Sequence, residues 1–397
     1  MSARPLTGLV LSGGGARAAY QVGVLSALMR IRRESARSDF DPSNPFQIIS
    51  GTSAGAINGT ALACQADDFA GAVEQLVHVW RHFKAGQVYR SDSLGVMGNG
   101  ARWLTMLSLG WALARVQPRS LLDNTPMQGL LERMVPMARL PSMLARRHLR
   151  AVAVSASSYT QGDHHTFYQS AVPVSPWVRS QRVAVPTQLV HEHLLASAAI
   201  PFVFPAVRLL HHAEGEWFGD GSMRQGAPLS PAIHLGADRL LVIGAGRMHE
   251  PKAQRRSVTQ YPTLGHVAGH AMSSIFLDAL AVDVERLQRI NRTLAALPPE
   301  VRHHHPLREV QLLVIAPSQR LDDLAAQHID ALPKPMRLLL RALGVQQGDG
   351  QGAALASYLL FEGPYTQALI ALGEADTERQ RSQVCEFFGW TPVHALP

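Results

Sequence analysis

The 397-residue sequence predicts a three-layer α/β/α sandwich around a mostly parallel central sheet, followed by a helical C-terminal extension. Three observations carry that expectation. An apolar run at 6–11 meets three consecutive glycines and then a helical pattern. A second apolar run at 46–50 meets another loop of small residues, "GTSAGA", and a second helical pattern. From about Leu321 onward every segment reads as helical and no strand-like run remains. Strand, loop and helix in repeated order is the pattern of parallel strands covered by helices.

Each element has its own signal. Within 16–33, Val22, Leu25 and Met29 fall on one stripe at helical spacing. The turn cluster "DPSNP" at 41–45 separates that helix from the second strand. Another helix is read over 54–64. Residues 84–118 interrupt the alternation with many glycines and one very apolar stretch, "RWLTMLSLGWALARV", at 102–116. The next helix is entered through Asp123, Asn124 and Pro126. Further strands are read in "RAVAVSASSY", "GDHHTFYQS", "EWFGDGS", "DRLLVIGAG" and "EVQLLVIAPS", and 160–163 turns a hairpin between the first two. One long helix is expected over 264–296. This organises the chain as an α/β domain over 6–320 and a helical extension over 321–397. The motifs discussed below fall within about 6–235.

Composition narrows the class. Hydrophobic residues make up 46% and charged residues 17%, which is enough apolar material for a sizeable core. The two cysteines, Cys64 and Cys385, suggest neither a disulfide framework nor a zinc motif. The net charge of +7 is scattered, with no run of five basic residues and no aromatic-interleaved stripe, so no nucleic-acid partner is expected. The N-terminus has no leader pattern, and no uninterrupted run of about 18 apolar residues occurs. The expectation is a cytoplasmic protein, peripheral to membranes at most. Histidine pairs at 164–165 and 211–212 lie in or beside strands, and one member of each is expected to face solvent.

"GTSAG", Gly51–Gly55, is a G-x-S-x-G placed directly after an apolar strand and before a helix. That context marks a nucleophile elbow with Ser53 at its tip. The turn crowds the backbone, so the small residues Gly51 and Gly55 support it. A serine hydroxyl needs a base. Eighteen histidines leave a Ser-His-Asp triad open. "WFGDGS" offers another base, Asp220, at the end of an apolar strand and followed by Gly221.

Attack by Ser53 on an ester carbonyl creates an oxyanion, which needs preorganised N–H donors. Gly13, Gly14 and Gly15, at the start of a helix, suit that task, with Arg17 fixing the loop or adding positive charge. The same residues fit G-x-G-x-x-A for a dinucleotide. That reading wants an acidic residue at the end of the second strand, where Ser50 stands. Serine acyl transfer needs no cofactor or metal, and no metal-ligand cluster is visible.

Three motifs together, G-G-G-x-R at 13–17, G-x-S-x-G at 51–55 and Asp-Gly at 220–221, resemble the patatin-like phospholipases. The stretch "SAAIPFVFPAV" at 197–207 is similar to the family's segment upstream of its aspartate. The resemblance implies a Ser-Asp dyad without histidine, with Ser53 as nucleophile and Asp220 as proton acceptor. It implies a Gly13–Gly15 oxyanion hole and a lipid or phospholipid acyl ester as substrate. Two positions depart from the family pattern. Ala18 stands where glycine is usual, and Ser222 follows Asp220-Gly221 where glycine or alanine is usual. Ser222 is expected to add a hydrogen bond to Asp220 and weaken it as a base. Two rival readings remain at this stage: a Ser-His-Asp α/β-hydrolase esterase, and a non-catalytic membrane-binding or regulatory protein that keeps the fold. In 102–116, Trp103, Leu107 and Trp111 recur every four residues. That segment is read either as a core helix or as a lid making peripheral membrane contact.

Overall fold

The computed structural model describes residues 5–36, 40–91, 120–210, 214–248, 261–345 and 353–391. The segment 102–116, His211 and His212 lie outside them. Among the described residues, ten strands form one sheet: β1 (Thr7–Leu11), β2 (Ile48–Thr52), β3 (Ala151–Ser158), β4 (His164–Ser170), β5 (Val178–Arg179), β6 (Arg182–Pro186), β7 (Val207–Leu209), β8 (Glu216–Asp220), β9 (Arg239–Ile243) and β10 (Gln311–Ile315). The main order is β10-β9-β1-β2-β3-β4-β6-β5, with β8 paired to β3 and β7. The five strands from β10 to β3 are parallel.

Period-two alternation splits the core into two layers. Leu9 and Leu11 of β1 pack with Ile49 and Val154 against helices α1 (Ala19–Ser35), α2 (Ala54–Ala63) and α3 (Phe69–Arg81). Val10 faces the other way, with Ile48, Ala153 and Val242, against Leu280, Val284 and Leu287. Burial on both faces explains why β1 and β9 read as unbroken apolar runs. After β1 the chain moves to β2 on one side and later returns to β9 on the other. The strand order therefore reverses at the end of β1, and ligand sites of open α/β sheets form at such a switch point. Both glycine-containing loops project there, since Leu11 lies opposite Gly51.

The other part of the sheet is largely antiparallel. β3 and β4 form the expected hairpin, and β8 runs against β3 with Asp220 opposite Ala156. Asp220 thus arrives at the same sheet edge from the opposite direction. β5, β6 and β7 were not anticipated, because they are short and mostly half-exposed.

One further expectation is corrected. His164 and His165 are both buried, at 2% and 3% exposure, because the hairpin is covered on both faces. Burial holds the His164 imidazole neutral, with its pKa pushed down to about 3. The long helix over 264–295 is present, with a π turn at Ser274–Asp278. By length and composition it is apolar enough to cross a membrane, although no uninterrupted apolar run marks it. Met272, Phe276, Leu280, Val284 and Leu287 on this helix are buried in the core. After β10 every described element is helical. Helix Gly363–Arg379 packs along α1, where the Tyr20 hydroxyl donates to Asp376 at 3.0 Å.

Candidate active site

Ser53 sits on the turn from β2 into α2 with φ 54° and ψ −130°, a left-handed backbone that a non-glycine residue rarely adopts. Such strain, of order 1–3 kcal/mol, persists only where the surroundings enforce it. The enforcement is visible. A Cβ on Gly51 would lie 2.4 Å from the Gly55 carbonyl oxygen, and a Cβ on Gly55 would lie 2.4 Å from that of Leu11. The elbow therefore closes only with glycine at both places. The Ser53 N–H donates to Ser197 Oγ at 2.8 Å, and the Ser197 hydroxyl donates to the Ser155 carbonyl at 2.6 Å. Sequence reading had no direct signal for Ser197 beyond its place in the 197–207 stretch.

Asp220 ends β8 and is fully buried. Its N–H donates to the Ala199 carbonyl at 2.9 Å, and its Oδ1 accepts from the Ser222 N–H at 2.9 Å. Burial pushes its carboxyl up to about 6, while the Ser53 hydroxyl and the Ser222 N–H and hydroxyl hold it down. Its Oδ2 has no aligned hydrogen-bond partner among the described residues. Gly221 lets the chain turn close under β3, where a Cβ would meet the Ser155 carbonyl at 2.2 Å.

The glycine loop closes over this pair. A Cβ on Gly13 would lie 2.4 Å from Ser222 Oγ, 3.0 Å from Phe276 and 3.1 Å from the Ser53 Cβ. Gly13 is thus the floor on which Ser53, Ser222 and the π turn converge. Gly14 backs onto Ala245, and Gly15 lies against the Tyr358 carbonyl and, with Ser53, lines an apolar cavity. Among the described residues, the N–H groups of Gly13 and Gly14 take part in no loop or cap hydrogen bond. The loop is held from below, where Gln21 donates to the Ser12 carbonyl at 2.7 Å. Asn58 in turn donates to Gln21 at 3.2 Å.

Arg17 ties the loop to the C-terminal helices. It is buried, donates to Ser357 Oγ at 2.8 Å, pairs with Asp322, and stacks 3.9 Å above the Tyr358 ring. Its partners all lie in the C-terminal helices, so the far end of the chain anchors the N-terminal glycine loop.

A narrow cavity of about 30 Å³ leads away from Ser53. Ile57, Trp80, Met127, Leu130, Phe204 and Phe361 are among its walls, which are almost wholly apolar. A larger groove of about 760 Å³ lies beyond the ends of β9 and β10 and contains neither Ser53 nor Asp220. Among the described residues, no group of three His, Cys, Asp or Glu side chains could hold a metal ion.

Among curated proteins none matches. Several solved structures are similar at low identity. VipD from Legionella pneumophila is 14% identical, with 93% of this chain and 67% of that one covered and a TM-score of 0.34. Human GIVD cytosolic phospholipase A2, in complex with methyl γ-linolenyl fluorophosphonate, is 12% identical, with 97% and 59% covered and a TM-score of 0.41. This chain therefore spans about three fifths of the length of the human structure. A family model described as patatin-like phospholipase matches residues 9–233, more than half of the sequence. That match takes in the Gly13–Gly15 loop, the Ser53 elbow and Asp220, and the chain belongs to the patatin-like phospholipase family.

Proposed function

We propose that the chain is a serine-dependent lipid acyl hydrolase that cleaves carboxylic ester bonds of lipids or phospholipids with a Ser53–Asp220 dyad. The observation that carries this reading is the pairing of a strained, buried Ser53 with a buried Asp220 whose pKa is raised to about 6. A carboxylate in water is a weak base, and burial brings this one close to the range useful at neutral pH.

Acylation begins as Asp220 takes the Ser53 proton and Oγ attacks the ester carbonyl carbon. The carbonyl electron pair moves to oxygen, and the oxyanion meets N–H donors of the Gly13–Gly15 loop at the head of the helical segment. The tetrahedral species collapses, the bond to the alcohol oxygen breaks, and Asp220 returns the proton to that alcohol. Water then releases the acid from Ser53 by the reverse sequence of roles. No cofactor or metal enters these steps. The acyl chain is assigned to the apolar cavity beside Ser53. At about 30 Å³ it is too small for a long acyl chain, so its walls must part, and Met127 and Met134 turn at little cost.

No histidine is among the groups acting on Asp220, which favours the dyad over a Ser-His-Asp triad. The reading is tested by a fluorophosphonate probe and by hydrolysis of a p-nitrophenyl acyl ester. The wild type should be labelled and active, and Ser53→Ala should be neither, while keeping its melting temperature. An unlabelled wild type would point to a binding protein that keeps the fold. A Ser53→Ala variant that still turns over would remove the nucleophile assignment.

A further inference from the structure

Two polar atoms at the site lack aligned hydrogen-bond partners among the described residues: Asp220 Oδ2 and Ser222 Oγ. Their residues are 0% and 5% exposed. The Ser53 and Ser222 hydroxyls hold the Asp220 carboxyl down, and the carboxylate and the Ser222 oxygen both keep lone pairs that an attacking water can satisfy. Ser222 Oγ and Ser53 meet at one place on the glycine loop. The point where a Gly13 Cβ would stand lies 2.4 Å from Ser222 Oγ and 3.1 Å from the Ser53 Cβ. Ser222 also uses its own N–H to hold Asp220 Oδ1 at 2.9 Å, which fixes the carboxylate relative to the hydroxyl. On the other side of Ser53 the cavity walls are apolar and offer water no partner.

We infer that Ser222 is a water-positioning residue: with Asp220 Oδ2 it holds the water that deacylates Ser53, and it thereby biases the acyl-enzyme toward hydrolysis over transfer to alcohols. This rests on the dyad reading proposed above. The discrimination follows from hydrogen count. A water molecule has two O–H groups. It gives one proton to Asp220 Oδ2 as its oxygen bonds to the acyl carbon, and donates the other O–H to Ser222 Oγ. The carbonyl pair moves to oxygen, the tetrahedral species collapses, and the bond to Ser53 Oγ breaks. Asp220 returns its proton to Ser53, and the carboxylic acid leaves. An alcohol has one O–H and an alkyl group in place of the other. It can satisfy Asp220 but has nothing to donate to Ser222. The hydroxyl therefore helps water and not its competitor.

The test is burst kinetics with a p-nitrophenyl acyl ester at pH 8, together with product partition in added methanol. Ser222→Ala and Ser222→Gly are compared with wild type, and both residues fit the space. The wild type should show a burst of p-nitrophenol followed by slower turnover. Both variants should keep the burst rate within about twofold, and their steady rate should fall about tenfold, the scale of one neutral hydrogen bond. The ratio of methyl ester to free acid should rise by about the same factor. A residue with only a structural role would lower burst and steady rates together and leave that ratio unchanged, and this result would overturn the inference. An unchanged steady rate in both variants would overturn it as well. If the wild type is not acylated at all, the dyad reading fails first and takes this inference with it; a burst present in wild type separates the two failures.

Discussion

Replacing Asp220 with asparagine should stabilise the protein while stopping the reaction. In the unfolded chain this carboxyl has its ordinary pKa of 3.8, and in the fold burial raises it to about 6. The sign follows directly. Below pH 3.8 both states hold the proton and the site is neutral in its effect. Between 3.8 and 6 the unfolded chain loses the proton and the folded one keeps it, so stability falls as pH rises. Above 6 both are ionised, and a buried charge is carried at a fixed cost. At 1.36 kcal/mol per pKa unit that cost is about 3 kcal/mol, an order-of-magnitude figure. Asparagine keeps an oxygen to accept from the Ser222 N–H and carries no charge.

The gain can be read as a melting temperature. An unfolding entropy of about 2.1 cal/mol/K per residue gives, for a chain of this length, about 1.2 °C per kcal/mol. Asp220→Asn should therefore melt about 3–4 °C above wild type at pH 8, and the gain should shrink to about half at pH 5. Ester hydrolysis should fall by at least about 10²-fold, the lower range for a positioned base. Wild-type activity should rise with pH through about 6 as Asp220 ionises. Scanning calorimetry at the two pH values, beside a rate assay, measures all of this. A variant less stable than wild type at pH 8, or a gain equal at both pH values, would refute the reasoning.

Three other outcomes are expected. Gly13→Ala should cost about 10²-fold or more in hydrolysis and abolish fluorophosphonate labelling, because the new methyl would occupy the floor shared by Ser53, Ser222 and Phe276. Arg17→Ala leaves Asp322 without its buried partner and should destabilise by about 3–5 kcal/mol, read as a melting temperature lower by about 4–6 °C. Exhaustive chelation should leave ester hydrolysis unchanged, and loss of activity with rescue by one defined ion would contradict the dyad chemistry.

How much of this was legible in the sequence depended on whether the signal was local. The elbow and the glycine loop are local devices, since their glycines and small residues are consecutive and their flanking strands are buried on both faces. The sequence therefore placed β1, β2 and both loops close to where they lie. Asp220 was legible as a strand end, but its meeting with Ser53 depends on β8 running against β3, which no short pattern encodes. β5, β6 and β7 escaped because they are short and mostly half-exposed, β5 and β7 lying at sheet edges, so they need little apolar character. The histidine pair was misjudged for a related reason. Alternation in a hairpin predicts one solvated face only when nothing covers that face, and here both faces are packed. Arg17 was read as fixing the loop or adding charge, and only the distant contacts to Asp322, Ser357 and Tyr358 decide for the former.

Those contacts explain why the proposed nucleophile and base depend on helices near the end of the chain. Ser53 and Asp220 are almost wholly removed from solvent, and that removal is what lifts a carboxylate of ordinary pKa 3.8 toward a useful base. A dyad without histidine needs such an environment, because an exposed aspartate would be too weak. The environment in turn needs a glycine loop that stays closed over the elbow, although glycine gains more freedom than any other residue when released. Arg17 is the residue that prevents release. It is rooted at the first turn after Gly15, and its guanidinium is clasped by an aspartate, a serine and a tyrosine from the C-terminal helices. The folded C-terminal region thus stabilises the loop without entering the chemistry. An Arg17 variant should accordingly lose hydrolysis and heat stability together, whereas a Ser53 variant should lose hydrolysis alone.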